Sequence, residues 1–424
     1  MSSSVDVIIV GAGSAGLSAA KELRRLGLTT AVIEGSHRIG GRAYSEEIAP
    51  GVWFDLGCSY LHHGRQNPFG PIADELGVAL NRGRDDLFND TLIRPYNNSE
   101  TLAGERLDAY WAFADACEAA LRDSVARGED RAIVDFVDLE SPFAVPYCLG
   151  MAALNTVDVD QMSAADYADF GSGEYAGGSD IPVPGGYGNL VARWGADVEV
   201  TLNARAERID WSGSGVRVET PKGTLAGRAV LVTVSTGILA SNAIRFDPGL
   251  PVWKVDAYRA LPTGTENKIG VHFDRDVFGP DGLGFYMTWN DDGEGAGFEA
   301  SVNANDTAIV FTGGRHAVWL EKQGQQAGHD FAVGRIADVF GNDIRKHVTR
   351  SIVTAWTTEP WTLGSYSAAR PGQAHQRREL ARPVGDRVFF AGEATAPQGA
   401  QATCHGAYLS GRRAAAEIAE VLSD

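Results

Sequence analysis

The sequence has few cysteines and no long apolar run, and each shortage excludes a class of protein. Only Cys58, Cys117, Cys148 and Cys404 occur among 424 residues. They form no CxxC pair and no metal-ligand spacing, so neither a disulfide framework nor a structural zinc site organises the fold. They read as buried free thiols in a reducing compartment. No stretch is apolar enough for long enough to span a bilayer. A strand-like run begins almost at the N-terminus, which leaves no room for a signal peptide and predicts a cytoplasmic protein. Fixed-period repeats and low-complexity tracts are also missing, although there are 51 glycines. Basic residues are the minority: 37 Lys and Arg against 55 Asp and Glu leave a net charge of −18. Such a field repels nucleic acid and anionic membrane and attracts cations, so neither of those partners is expected.

What is present reads as a globular chain of two or three domains. Val5 to Val10 is a short β-branched run, the pattern of a buried parallel strand. The turn Gly11-Ala12-Gly13-Ser14-Ala15-Gly16 follows, then a helix over Leu17 to Leu26 capped by Gly27, then a strand over Thr29 to Ile33 ending at Glu34-Gly35. Gly11 permits the tight turn, Gly13 lets the backbone approach a pyrophosphate, and Gly16 lets helix and strand pack closely. The helix N-terminus offers N–H groups and a positive dipole end to phosphates. Glu34 can accept hydrogen bonds from ribose hydroxyls. The turn alone does not decide between NAD and FAD. The next element, Arg38-Ile39-Gly40-Gly41-Arg42, can add backbone amides and a guanidinium to a pyrophosphate.

With that doublet, the sequence resembles the flavin amine oxidases, the family of monoamine and polyamine oxidases. The resemblance runs nearly end to end through separated motifs. Asp55-Leu56-Gly57-Cys58-Ser59-Tyr60-Leu61-His62 looks like the segment beside the flavin ring, with small residues at Gly57, Cys58 and Ser59 for close contact. His62 falls where polyamine oxidases carry a substrate-facing histidine, although a lone histidine is often structural. Glu266-Asn267-Lys268-Ile269-Gly270 resembles the motif whose lysine holds a water at flavin N5. Gly364-Ser365-Tyr366-Ser367 places Tyr366 as an aromatic wall. Ser365 stands where monoamine oxidases carry a cysteine bonded to FAD, so non-covalent FAD is expected, with Cys404 a weak substitute attachment. Ala391-Gly392-Glu393-Ala394-Thr395 resembles the C-terminal FAD motif, in which Glu393 accepts a ribityl or ribose hydroxyl. Ala402-Thr403-Cys404-His405-Gly406-Ala407 opens the last helix. Thr403 stands where monoamine oxidases have a second aromatic wall, and this departure favours a polyamine-oxidase-like channel. The same resemblance sets Ala206, Trp356, Trp361 and Ala402 against the cofactor.

The resemblance implies an α/β fold. A Rossmann-like FAD-binding domain would be built from segments 1–76, 185–258 and 359–424. An α+β substrate domain with a mixed sheet and helices would take 77–184 and 259–358. Leu102 to Arg127 has helical periodicity, with Tyr110 and Trp111 read as core. The implied reaction is oxidation of the carbon next to an amine nitrogen, with Lys268, Tyr366, His62 and Thr403 at the site, no metal, and O2 reduced to H2O2. Polyamines or other alkyl amines are preferred as substrates. Asp169, Glu174 and Asp180 are candidates for a distal ammonium. A homodimer is an open option.

Other readings are weighed against this one. An L-amino-acid oxidase would carry an arginine where this chain has Tyr60-Leu61-His62. A desaturase-like FAD dehydrogenase would not require Lys268 or Tyr366. A flavin-bound sensor has no use for either. A protein-tail demethylase would be expected to carry a long charged coiled-coil insertion, and none is evident.

Overall fold

The computed structural model describes residues 4–84, 92–176, 179–290, 293–301, 304 and 306–423. Val5–Val10 lies inside an eight-stranded sheet, flanked in parallel by Thr30–Ile33 and Gly223–Val232. Val7, Ile8 and Ile9 are fully buried, because helices or loops cover both faces of this sheet. A strand covered on both faces is apolar throughout rather than alternating. Val200–Thr201 extends the sheet beyond Thr30–Ile33, and Val388–Phe390 pairs in parallel with the end of Gly223–Val232. The start of Gly223–Val232 turns back against Val216–Thr220, with Arg208–Asp210 and Arg245–Asp247 beyond.

A second, seven-stranded sheet holds Glu266–Phe273 between Val348–Val353 and Thr307–Gly313. Gly295–Ala300, Gly284–Trp289, Ile93–Asn97 and Glu100–Thr101 follow in order. Ile93–Asn97 joins in parallel and the other pairings are antiparallel, so the sheet is mixed. Helix Gln325–Phe340 packs Val333 and Ile336 against Ile269, Val271 and Phe298 on one face. On the other face Phe54, from the hairpin Ser45–Ala49 and Val52–Asp55, lies over Gly270. A Cβ on Gly270 would come within 2.7 Å of that ring. The fold is α/β, with one largely parallel sheet and one mixed sheet, each covered by helices.

Several element limits differ from the sequence reading. The first helix is Ser14–Arg25, because the turn glycines release the chain into helical geometry three residues earlier. The long amphipathic helix is Glu105–Ala126, and it does bury Tyr110, which stacks on Trp289. The strand read as Thr29 to Ile33 starts at Thr30. Strand Val348–Val353 ends before Trp356, whose indole donates to Leu56 O at 2.9 Å from a turn.

Two joints hold the layers in register. Asp55, 1% exposed, accepts from Ser45 Oγ and from the N–H groups of Tyr187 and Gly188 at 3.1 and 3.2 Å. It therefore ties the hairpin to the start of helix Tyr187–Gly195. Burial pushes its carboxyl up to about 6 despite these donors. At the second joint the last helix, Cys404–Ser423, crosses the first, where Ser18 Oγ donates to Tyr408 O at 2.7 Å. A Cβ on Gly411 would lie 2.2 Å from both Ala15 O and Ser18 Oγ. Gly411→Val should therefore lower the thermal unfolding midpoint, at a cost of about 3 kcal/mol. Gly249→Val, at a position with nothing within 4 Å of a Cβ, should leave the midpoint unchanged by calorimetry.

Candidate active site

A cavity of about 1440 Å³ is lined from both sheets. That exceeds the roughly 300–1,000 Å³ of a small-ligand pocket and suits a dinucleotide with a substrate beside it. Gly11, Gly13, Ser14, Ala15, Glu34, Gly35, Gly40, Gly41, Arg42, Gly57, Cys58, Ser59, Ala206, Trp356, Trp361, Gly392, Glu393, Ala402 and Thr403 all line it, as do Lys268, Tyr366 and His62. Ala12 and Gly16, read from the sequence as cofactor contacts, do not. Ala12 is fully buried and its N–H donates to Glu34 Oε2 at 2.8 Å. A Cβ at Gly16 would meet Gly11 O at 1.9 Å, so this glycine serves close packing within the turn.

At one end, Gly11 and Gly40 take left-handed φ values of 107° and 98°. A Cβ at Gly13 would meet only Gly40 O at 3.8 Å and Gly41 Cα at 4.0 Å, so this side of the turn is open. No side chain caps helix Ser14–Arg25, and its first N–H groups remain free for an anion. Glu34 is occupied by Ala12 N and Ser36 N, which fix both carboxylate oxygens toward the cavity wall with lone pairs to spare. Ala204, Ala206, Ile238 and Ile244 form an apolar wall nearby. Gly35 lets Trp361 lie flat against the backbone, since a Cβ there would be 2.7 Å from the ring. These residues fit an adenine dinucleotide.

Two charged groups at the wall already have protein partners. The Arg42 guanidinium donates through Nη1 to Ser365 O at 2.6 Å and Glu393 Oε1 at 3.0 Å. Glu393 also accepts from Ser367 N and Ser367 Oγ, so protein donors already occupy the carboxylate expected to take a ribityl hydroxyl. The Arg42–Glu393 ion pair joins two distant segments at the cavity wall.

At the other end, Lys268 Nζ donates to Gly57 O and Ser59 Oγ. An ammonium has three hydrogens, so one remains for a water or a developing anion. His62 Nδ1 pairs with Asp180 Oδ1 at 2.8 Å. The Tyr366 hydroxyl donates to Leu154 O at 2.8 Å, which holds its ring at the cavity wall. Thr403 caps the last helix: its hydroxyl accepts from Gly406 N at 2.9 Å and donates to Ala400 O at 2.7 Å. The helix starts at Cys404, leaving Ala402 before it with φ 63°. Of the three candidate ammonium ligands only Asp180 lines the cavity; Asp169 accepts from Gln398 on the surface, and Glu174 lies outside the lining.

Sequence reasoning missed four acids or bases. Glu266 lines the cavity two residues before Lys268 on the same strand. Glu299, 1% exposed, accepts from the Tyr60 hydroxyl, and burial pushes it up to about 7. Asp166 and Arg377, 211 positions apart, form a buried bidentate pair, with Arg377 also donating to Ser367. Spacing in sequence gave no signal for that pair. The Glu266 signal was available, as an acid placed by strand alternation on the face of the lysine.

Burial opposes charge on His62, but the Asp180 carboxylate outweighs it and raises the imidazole above its ordinary 6.5. Burial likewise opposes Asp180, and His62 outweighs that to hold it below 3.8. The stabilisation His62 draws is complete below about pH 6.5 and is lost as pH rises through its raised folded value; the Asp180 share is lost as pH falls below about 3.8. In Asp180→Asn burial and the Lys268 charge are opposed only by the smaller pull of Glu266, so His62 should titrate below 6.5 by histidine NMR, where the native protein titrates above it. An unchanged value would refute the pairing.

Residues 14–419 match the family of flavin-containing amine oxidoreductases. "Lysine-specific histone demethylase 1 homolog 1" of Oryza sativa subsp. japonica is 31% identical over 97% of this chain, which spans 52% of that relative's length. "Polyamine oxidase 4" of the same organism is 27% identical over 97% of this chain and 88% of its own. Among solved structures, cyclohexylamine oxidase from Brevibacterium oxydans IH-35A superposes with a TM-score of 0.82 at 23% identity, covering all of both chains. Wild-type putrescine oxidase bound to putrescine gives 0.79 at 21%, covering 98% of this chain and 99% of that one. These two likenesses establish the fold. With a glycine-turn dinucleotide end, a lysine-bearing ring end and a family match across nearly its whole length, this chain belongs to the flavin-containing amine oxidoreductases.

Proposed function

We propose that this chain is an FAD-dependent oxidase of small amines, alkyl amines or polyamines, acting at the carbon next to nitrogen. The observation that carries the reading is the Lys268 ammonium, held by Gly57 O and Ser59 Oγ at the end of the cavity where Asp180 and Glu266 supply negative charge. FAD, when bound, supplies the two-electron acceptor and passes the electrons to O2 as H2O2. The Gly11–Ala15 turn would hold its pyrophosphate, Ala206 and Ile244 its adenine end, and Gly57, Cys58, Ser59 and Trp356 its ring. Ser365 Oγ donates to Gly264 O at 3.1 Å and cannot form a thioether, which favours non-covalent attachment.

The chain's own groups act on the amine. An alkyl ammonium of pKa near 10 costs roughly 4 kcal/mol to deprotonate at pH 7. The acidic lining draws the cation in, and desolvation within the cavity favours its neutral form. Tyr366 and Phe170 offer aromatic faces to an entering cation, worth about 0.5–2 kcal/mol. The oxidised product is an imine, which water converts to an aldehyde or ketone. Lys268 would then stabilise negative charge developing on oxygen.

The cavity also weighs against an amino-acid substrate. Its lining arginines are each engaged: Arg38 with Ile39 O and Gly41 O, Arg42 with Glu393, Arg205 with Glu207 and Arg377 with Asp166. No lining arginine among the described residues is thus left for a carboxylate. Likewise, the longest helices among the described residues, Glu105–Ala126 and Cys404–Ser423, pack onto the body. That favours a small amine over a protein tail.

Anaerobic stopped-flow with putrescine, spermidine, benzylamine, cyclohexylamine, L-amino acids and a methyl-lysine peptide tests the reading. A small amine should bleach the oxidised flavin, L-amino acids should not, and Lys268→Met should slow turnover with O2 about 10²-fold. Bleaching by the amino acids or the peptide alone would replace the reading. The flavin should also appear in the supernatant after acid precipitation, as a non-covalent cofactor does.

A further inference from the structure

Glu266 opens strand Glu266–Phe273, and its N–H is fixed by Ser365 Oγ at 2.8 Å. Alternation places its side chain on the face that carries Lys268. The other acids near this end of the cavity are already committed. Asp180 is paired with His62, and Glu299 takes the Tyr60 hydroxyl and does not line the cavity. His62 is engaged by Asp180, which raises its imidazole above the ordinary 6.5. Lys268 directs its ammonium to Gly57 O and Ser59 Oγ. The Tyr366 hydroxyl lies beside Glu266 but donates to Leu154 O. Glu266 is thus the carboxylate at this end left with capacity toward the cavity.

We propose that Glu266 is a catalytic residue that binds the substrate ammonium and takes its proton. This rests on the amine-oxidase reading above. One N–H bond breaks and one O–H bond forms: R–NH3+ and Glu266 carboxylate become R–NH2 and Glu266 carboxylic acid, with no change in total charge. The groups facing Glu266 set its proton affinity. Burial raises it above an ordinary glutamate, while Lys268, His62 and the Tyr366 hydroxyl pull it back. Glu299, itself raised by burial, adds repulsion from behind the lining. A carboxyl raised in this way and an ammonium lowered by the same desolvation approach each other in proton affinity, so the transfer needs no solvent base.

The sign of the pH dependence follows. Wild-type enzyme binds the abundant ammonium, so kcat/KM should fall only where Glu266 becomes protonated at acid pH. In Glu266→Gln the enzyme must wait for free neutral amine, about 10⁻³ of the total at pH 7 for an amine of pKa near 10. Its kcat/KM should fall about 10³-fold at pH 7, rise tenfold per pH unit, and approach wild type near pH 10. Calorimetry on the holoenzyme with tert-butylamine, which has no hydrogen on the carbon beside nitrogen, gives a readout independent of turnover. Repeated in buffers of different ionisation enthalpy, it should show no net proton release at pH 7.5 for wild type and one proton released per amine bound by Glu266→Gln. Equal affinity, equal proton count and parallel pH profiles in the two proteins would overturn the role of Glu266 while leaving the amine-oxidase reading intact. Failure of every amine to reduce the wild-type flavin would overturn both. If Glu266→Gln does not fold, release of one proton per tert-butylamine by wild type still refutes the transfer.

Discussion

A buried run of alternating charge, Asp166–Arg377–Glu393–Arg42 with Ser367 between its middle members, holds this structure to one arrangement. Asp166 lies in helix Ala164–Asp169, Arg377 in helix Gln376–Ala381, Glu393 after strand Val388–Phe390, and Arg42 after the second glycine turn. Four distant segments thus meet through hydrogen-bonded charges. Taking such charges out of water costs several kcal/mol per ion, so the run is weak evidence for high stability. Its value is geometric. A small shift of any segment would leave a buried charge unpaired, and that penalty selects one register between the nucleotide-binding layer and the helices over the cavity.

The electrostatics of the cavity follow from that constraint. The positive charges of Arg42 and Arg377 are neutralised within the run, so they do not set the sign of the ring end. Lys268, the His62–Asp180 pair and Glu266 remain there, and Glu299 lies outside the lining, where it accepts from the Tyr60 hydroxyl. A cation entering this end meets carboxylates held at fixed positions in a medium where charge is poorly screened. The net charge of −18 adds a longer-ranged attraction that salt would weaken.

The fold was legible wherever a local requirement writes itself into consecutive residues. The glycine turn, the apolar run before it, Glu34 and the Gly40-Gly41 doublet each answer to backbone geometry, and the strands and helix they define are present. The strand read as Thr29 to Ile33 was overdrawn by one residue because pairing partners, not composition, set its limits. The side chains of Arg42 and Glu393 were matched to ligand oxygens because sequence shows each residue but not its competitor, a partner 351 positions away. Asp55 was read as part of the ring segment, yet its carboxylate caps a helix that begins 132 positions later. Charge partners that meet only through tertiary folding leave no periodic trace.

Glu266 lies between these cases. It stands inside the motif that marks Lys268, yet a strand-opening glutamate is ordinarily a solvated residue. What alters its chemistry is the company brought by four other elements: His62 with Asp180, Tyr366, Glu299 and the carbonyl of Gly57 that draws Lys268 aside. A lysine two residues away would normally neutralise a glutamate on the same face. Here the lysine's hydrogen bonds go to Gly57 O and Ser59 Oγ, while its charge still lowers the Glu266 carboxyl. Opposite charges in one cavity are what the chemistry of an amine requires, because its ammonium must first be attracted and then lose the proton that made it attractive.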